Sequence, residues 1–166
     1  MKRTLFPFFL AAGCNLVGVL TGYALGSPAS GAELAPPVAV PFSVSGVFLH
    51  NAAIALTLAG GGILLGAPTV LILVVSGLPL GIGIRMGIDP IVVLPHAVFE
   101  FPAIWAAGTA GLLVPVSLLR DLRRPKEPGT VARAILQAVF FTTVSIGLLA
   151  IAATVEVIVT PWLAGG

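Results

Sequence analysis

The chain has 166 residues, 58% of them hydrophobic and only 8% charged, with a formal charge of +2 and a mean hydropathy of +1.14. A soluble domain carries about a quarter charged residues; here apolar runs of about twenty residues, long enough to cross a bilayer as helices, recur from end to end. This composition excludes a soluble globular fold, and so small a net charge argues for no nucleic-acid partner.

The sequence predicts an all-α polytopic membrane protein of about five transmembrane helices, a single domain over residues 1–166. Thr4 to Gly26 reads as the first helix, with Gly18, Gly22 and Gly26 in a small-residue stripe that admits close approach of another helix. Its lone Cys14 cannot form an internal disulfide and reads as a small buried residue. LAAGC at 10–14 also bears a faint likeness to a lipoprotein signal, but strongly apolar sequence continues beyond it, which favours an uncleaved helix. The loop 27–41 holds four prolines and Glu33.

The second helix is expected from about Phe42 to Leu65, loosening at Gly60–Gly62, followed by a tight Gly66-Ala67-Pro68 turn. The third runs from about Thr69 to Ile84 and carries Gly77 and Gly81, again a packing stripe. After RMGIDP at 85–90, residues 91–94 are expected as a lead-in, with the fourth helix starting near Pro95, since proline suits a first helical position. RDLRRPKEPG at 120–129 is a basic loop, and a last helix extends from about Val131 to Thr160, with Trp162 as an interfacial anchor.

Basic residues other than Arg85 fall in two clusters, Lys2 with Arg3, and Arg120, Arg123, Arg124, Lys126 with Arg133. The positive-inside rule puts both on the cytoplasmic side, hence the N-terminus inside and, after five crossings, the C-terminus outside. Asp89 lies close enough to offset Arg85. The short connections leave no room for a soluble catalytic domain, so any chemistry belongs within the membrane or to a partner.

PHAVFEFP at 95–102 then stands out, because ionisable groups inside a membrane are costly and usually face a bundle interior. His96 and Glu100, four apart, share a helix face. Pro102 cannot donate to the Val98 carbonyl, and with Glu100 near the expected helix start the stretch reads as a polar, locally unwound helix beginning. From the expected helix ends, Asn51 lies roughly 13 Å deep, Glu100 roughly 8 Å and Glu156 roughly 6 Å, all in the outer half. Asn51, His96, Glu100 and Glu156 are therefore expected to converge on one outward-facing polar cluster. The bland reading is that these residues only lock helices together; the sharper one is a site for a ligand, a partner or an ion. Imidazole with two carboxylates suits zinc, so His96, Glu100 and Glu156 are also candidate metal ligands, although HExxH is absent.

These residues also carry a resemblance. PHAVFE at 95–100 resembles the PHGxFE signature of the stage II sporulation protein M family of integral membrane proteins. So do Asn51 in FLHNAAIAL, the Gly66-x-Pro68-Thr69 turn, SGLPLG with Gly77 and Gly81, and AATVEVIVTP at 152–161, so the likeness covers about residues 42–162. Ala97 stands where the family usually has glycine, and His50 where it often has a second asparagine. The resemblance implies a multi-pass cell-membrane protein of five spans without known catalytic activity or cofactor, a subunit or scaffold of a cell-envelope assembly resembling the peptidoglycan-remodelling one. Its partners would be the lipid bilayer, other envelope membrane proteins and, through the glycine stripes, a second copy of the chain. Two alternatives stay open: a transport or immunity component using the cluster as an ion or substrate site, and a metal-dependent membrane enzyme.

Overall fold

The structure is a computed structural model that describes residues 2–27, 43–88, 90–123 and 130–159. Residues 28–42, Glu33 among them, Asp89, Arg124, Lys126 and Trp162 lie outside the described residues, as do the side chains of Lys2 and Arg3. Among the described residues all secondary structure is helical.

Five helices are long and apolar enough to cross a membrane. They are α1 (Lys2–Leu25), α2 (Val44–Gly60), α3 (Ala67–Met86), α4 (Pro90–Arg123) and α5 (Thr130–Thr154). Ser43 caps α2 by accepting a hydrogen bond from the Gly46 amide at 3.0 Å. The loosening expected at the glycine triplet is a 3-10 turn, Gly61–Leu64, after which Leu65 and Gly66 adopt left-handed backbone (φ 56° and 80°) and reverse the chain into α3. At Gly66 that conformation is one that only glycine reaches without strain. α5 ends in a π-helical turn, Val155–Val159, which contains Glu156.

The start of the fourth helix differs from expectation. α4 begins at Pro90 rather than near Pro95 and continues without interruption past Pro95, Pro102 and Pro115. Residues 91–94 are its first turn, not a lead-in, and PHAVFEFP is helical throughout. Inside hydrocarbon a backbone that left the helix would expose many unpaired groups, whereas each proline forfeits one hydrogen bond. Glu100 accordingly lies ten residues into α4, beyond the first turn where a helix dipole acts.

The packing forms two tight pairs, α1 on α3 and α5 on α4, with α2 set against α4 and α5. α1 and α3 run parallel: Gly18 lies on the backbone of Val74 and Gly22 on that of Leu78, while Gly77 and Gly81 lie on the α1 backbone at Asn15 and Val19. Gly26 meets the Arg85 side chain. The two glycine stripes are thus consumed within one chain, each helix pressing into the other's missing side chains. A second close approach joins α2 to α4, where Gly111 lies against the Leu58 carbonyl, to which the Thr69 hydroxyl donates at 2.9 Å. At the opposite end of α4 from its prolines 95 and 102, the Thr130 hydroxyl donates to Asp121.

The core is built of small and branched residues, Ala11, Leu58, Leu73, Ala107 and Leu149 among them. α4 is the most enclosed helix. The outer faces carry exposed Phe9, Leu20, Leu71 and Phe140, the apolar exterior of a helical membrane protein, which lipid rather than water would cover.

Candidate functional site

One end of the bundle encloses a cavity of about 640 Å3 between α2, α3, α4 and α5. α3 meets α4 far less closely than it meets α1, which leaves room between them. Apolar walls come from Leu80 and Ile84 of α3, Phe101 and Ile104 of α4 and Leu149 of α5. His50 and Asn51 of α2, Ser76 of α3, and His96 and Glu100 of α4 supply its polar groups. A few polar groups on apolar walls, in a volume of several hundred cubic ångströms, is the make-up of ligand-binding cavities.

Three of the four cluster residues expected from the sequence, Asn51, His96 and Glu100, line this single cavity. Glu156 is not part of the lining; it sits in the π-helical turn of α5, within electrostatic range of Glu100. His50, one residue before Asn51, joins the set, also within electrostatic range of Glu100. The Nδ1 atom of His96 is buried without a hydrogen-bond partner. Pro79, on the lining, and Pro102, two residues beyond Glu100, have no N–H to offer the carbonyls one turn earlier, those of Val75 and Val98, which are not lining residues. π-helical turns of the kind that carries Glu156 occur mostly as local insertions in α-helices, frequently at functional sites.

Beneath the cavity lies a network that sequence reasoning missed. Asn15 of α1, 1% exposed, donates to the Leu73 carbonyl at 3.1 Å and to the Ser76 hydroxyl at 3.2 Å. Its carbonyl oxygen accepts from the Trp105 indole at 3.2 Å. The Trp105 ring in turn stacks on Phe101, with centroids 6.1 Å apart and planes inclined by 27°. A single asparagine thereby ties α1 to α3 and α4, and holds Ser76 and Phe101, both on the cavity surface. The signal in the sequence was one amide inside the first apolar run; its partners, 58, 61 and 90 residues away, had no spacing to reveal them.

Chemically, the cavity can recognise charge and hydrogen-bonding groups. Among the described residues no three His, Cys, Asp or Glu side chains come together as a metal-binding group. His96, Glu100 and Glu156 therefore do not form the zinc-like set that their residue types allowed: two stand on neighbouring turns of α4, and the third lies on another helix, outside the cavity lining. Cys14 is free, part-buried in α1 and away from the cavity lining.

The family model of stage II sporulation protein M matches residues 6–161, a stretch that takes in α1 to α5 and the π-helical turn. The chain belongs to the stage II sporulation protein M family. That match extends the likeness beyond the motifs from residue 42 onward, to α1 with its glycines and Asn15. An uncharacterized protein of the archaeon Methanocaldococcus jannaschii is 26% identical over 133 residues, covering 75% of each chain. No solved structure matches the chain. This stage II sporulation protein M relative is thus a helical membrane protein whose PHAVFE segment forms one wall of a polar cavity.

Proposed function

We propose that the chain is a non-enzymatic, multi-pass subunit or scaffold of a cell-envelope assembly in the cell membrane, and that its cavity receives a segment of another envelope protein. The observation that carries this reading is the cavity itself: about 640 Å3, lined by His50, Asn51, Ser76, His96 and Glu100 within otherwise apolar walls. Family membership supports a membrane role. The envelope assembly is carried over from the family resemblance; sporulation itself is not. By the positive-inside rule, Arg120, Arg123 and Arg133 at the other end favour a cytoplasmic location there, which turns the cavity outward.

The test is cross-linking in cells. Leu94 lines the cavity and is 58% exposed, while Phe140 on α5 is 62% exposed and outside the lining. A photo-reactive amino acid at Leu94 is expected to capture one defined envelope protein that the same group at Phe140 does not. Identical capture from both positions, or capture of lipid alone, would sink the scaffold reading.

One observation favours transport as the second reading. The lining reaches Ser76, midway along the twenty residues of α3, and transporter sites lie near the bilayer midplane beside interrupted helices. Saturable flux of an ion or solute through the reconstituted protein, abolished by Glu100→Gln, would establish that reading instead.

A further inference from the structure

We infer that the cavity takes a lysine or arginine side chain carried on a membrane helix of a partner protein, with Glu100 as its counter-charge. This rests on the scaffold reading above and names the chemistry of its partner.

The first argument is charge. Among the described residues, the ionisable groups acting on Glu100 are His96, Glu156 and His50, and no lysine or arginine is among them or in the lining. Two carboxylates and two imidazoles without a permanent cation leave the ionised form of Glu100 with no fixed counter-charge. A carboxylate enclosed in a bilayer without a countercharge is costly, and a cation brought beside it relieves that cost. On the same lining, the side-chain oxygens of Asn51 and Ser76 offer acceptors for the several N–H groups of an ammonium or guanidinium.

The second argument is shape. Lysine and arginine join an apolar stem to a charged tip, and the cavity matches that order. Its rim is apolar and exposed, with Ile84, Ile88 and Leu94 at the gap between the end of α3 and the start of α4, while Glu100 lies further in. An entering helix could lean on that rim and send its side chain inward.

The third argument is depth, and it favours a protein over a lipid headgroup. α3 and α4 run antiparallel with Leu73 against Gly108, which sets Glu100 level with Gly81. Gly81 lies five residues before the end of α3, about 8 Å inside a helix whose length, about 30 Å, matches the hydrocarbon core. An aminophospholipid holds its ammonium outside that core and would have to sink past its own level, whereas a helix can carry a lysine at any depth.

The experiment uses the purified full chain in phosphatidylcholine nanodiscs. Its probe is a synthetic Leu/Ala membrane-spanning peptide with a single lysine two turns from one end, read by energy transfer between labelled partners. The lysine and arginine peptides are expected to bind about tenfold tighter than the same peptide with norleucine, and a glutamate version more weakly than norleucine. Glu100→Gln should remove the preference for the cation, with its thermal unfolding measured in parallel. If that variant does not fold, the comparison of lysine, norleucine and glutamate peptides on the wild type decides alone. Equal binding of all three peptides would overturn the proposal, as would a lysine preference that persists in folded Glu100→Gln. Loss of the preference when phosphatidylethanolamine is added, together with stabilisation of wild type but not Glu100→Gln by that lipid, would assign the cavity to a lipid headgroup instead. The cross-linking at Leu94 does not depend on charge. Capture there without a lysine preference discards the cation and keeps the scaffold; absence of capture discards the scaffold.

Discussion

Asn15 and Glu100 pose opposite problems at the scale of single residues. The amide of Asn15 is fully enclosed and its donor and acceptor atoms are both used, on Leu73, Ser76 and Trp105. Replacing it by alanine leaves the Trp105 N–H without its acceptor and removes one donor from the Ser76 oxygen, whose hydroxyl keeps its own bond to the Leu73 carbonyl at 3.0 Å. Hydrogen bonds between membrane helices contribute about 1 kcal/mol each, and orphaning buried groups adds to that. Asn15→Ala is expected to destabilise the bundle by about 2 kcal/mol in equilibrium unfolding in mixed micelles; an unchanged midpoint would show that the network is incidental. Glu100, by contrast, faces a cavity. That His96 and Glu100 share a face was legible from their four-residue spacing, because such neighbours are set by the helix alone. The partners of Asn15 were not, because they belong to other helices.

Between elements, the interface of α1 and α3 shows how little room a glycine stripe leaves. A Cβ on Gly81 would collide with the Val19 carbonyl, and one on Gly77 with the Asn15 carbonyl. Both contacts are with backbone, which cannot swing away as a side chain would. Gly60, by contrast, has nothing within 4 Å of its missing Cβ. Gly81→Ala should therefore cost about 2 kcal/mol, the usual scale of overpacking, while Gly60→Ala should be neutral or slightly stabilising. Equal effects in the same unfolding measurement would refute the close approach. The glycine spacing was legible as a packing surface, but self-association and packing within one chain were equally compatible with it. Only the register of α1 on α3 assigns it to the monomer. The three prolines of α4 misled the sequence reading in the other direction. Proline marks a break where water can take up the freed groups; within the bundle the helix carries on, and the break shrinks to one unpaired carbonyl per proline.

For the molecule as a whole, the central prediction is orientation. The charge rule turns the polar-cavity end outward and the Arg120, Arg123 end inward. With the native thiol removed by Cys14→Ala, Ser45→Cys at the start of α2 should react with a membrane-impermeant maleimide in intact cells. Leu122→Cys, at the far end of α4 and 75% exposed, should react only after permeabilisation. The reverse pattern would turn the cavity toward the cytoplasm, and with it the side from which a partner must come.

The number of helices, their order and their apolar exteriors followed from the sequence by itself, because hydrocarbon forces every span into a helix and hydropathy reports length directly. The polar residues worth following were also visible there, since an ionisable group in an apolar run is conspicuous by its cost. Which of them meet was decided only by the tertiary structure. Asn51, His96 and Glu100 share a cavity because α2 lies parallel to α4, with Leu58 against Gly111. Glu156 lies in a π-helical segment and is not among the lining residues, and Asn15 becomes the link beneath them. These outcomes depend on helix register and rotation, which arise from contacts between residues far apart in the chain and leave no period along it.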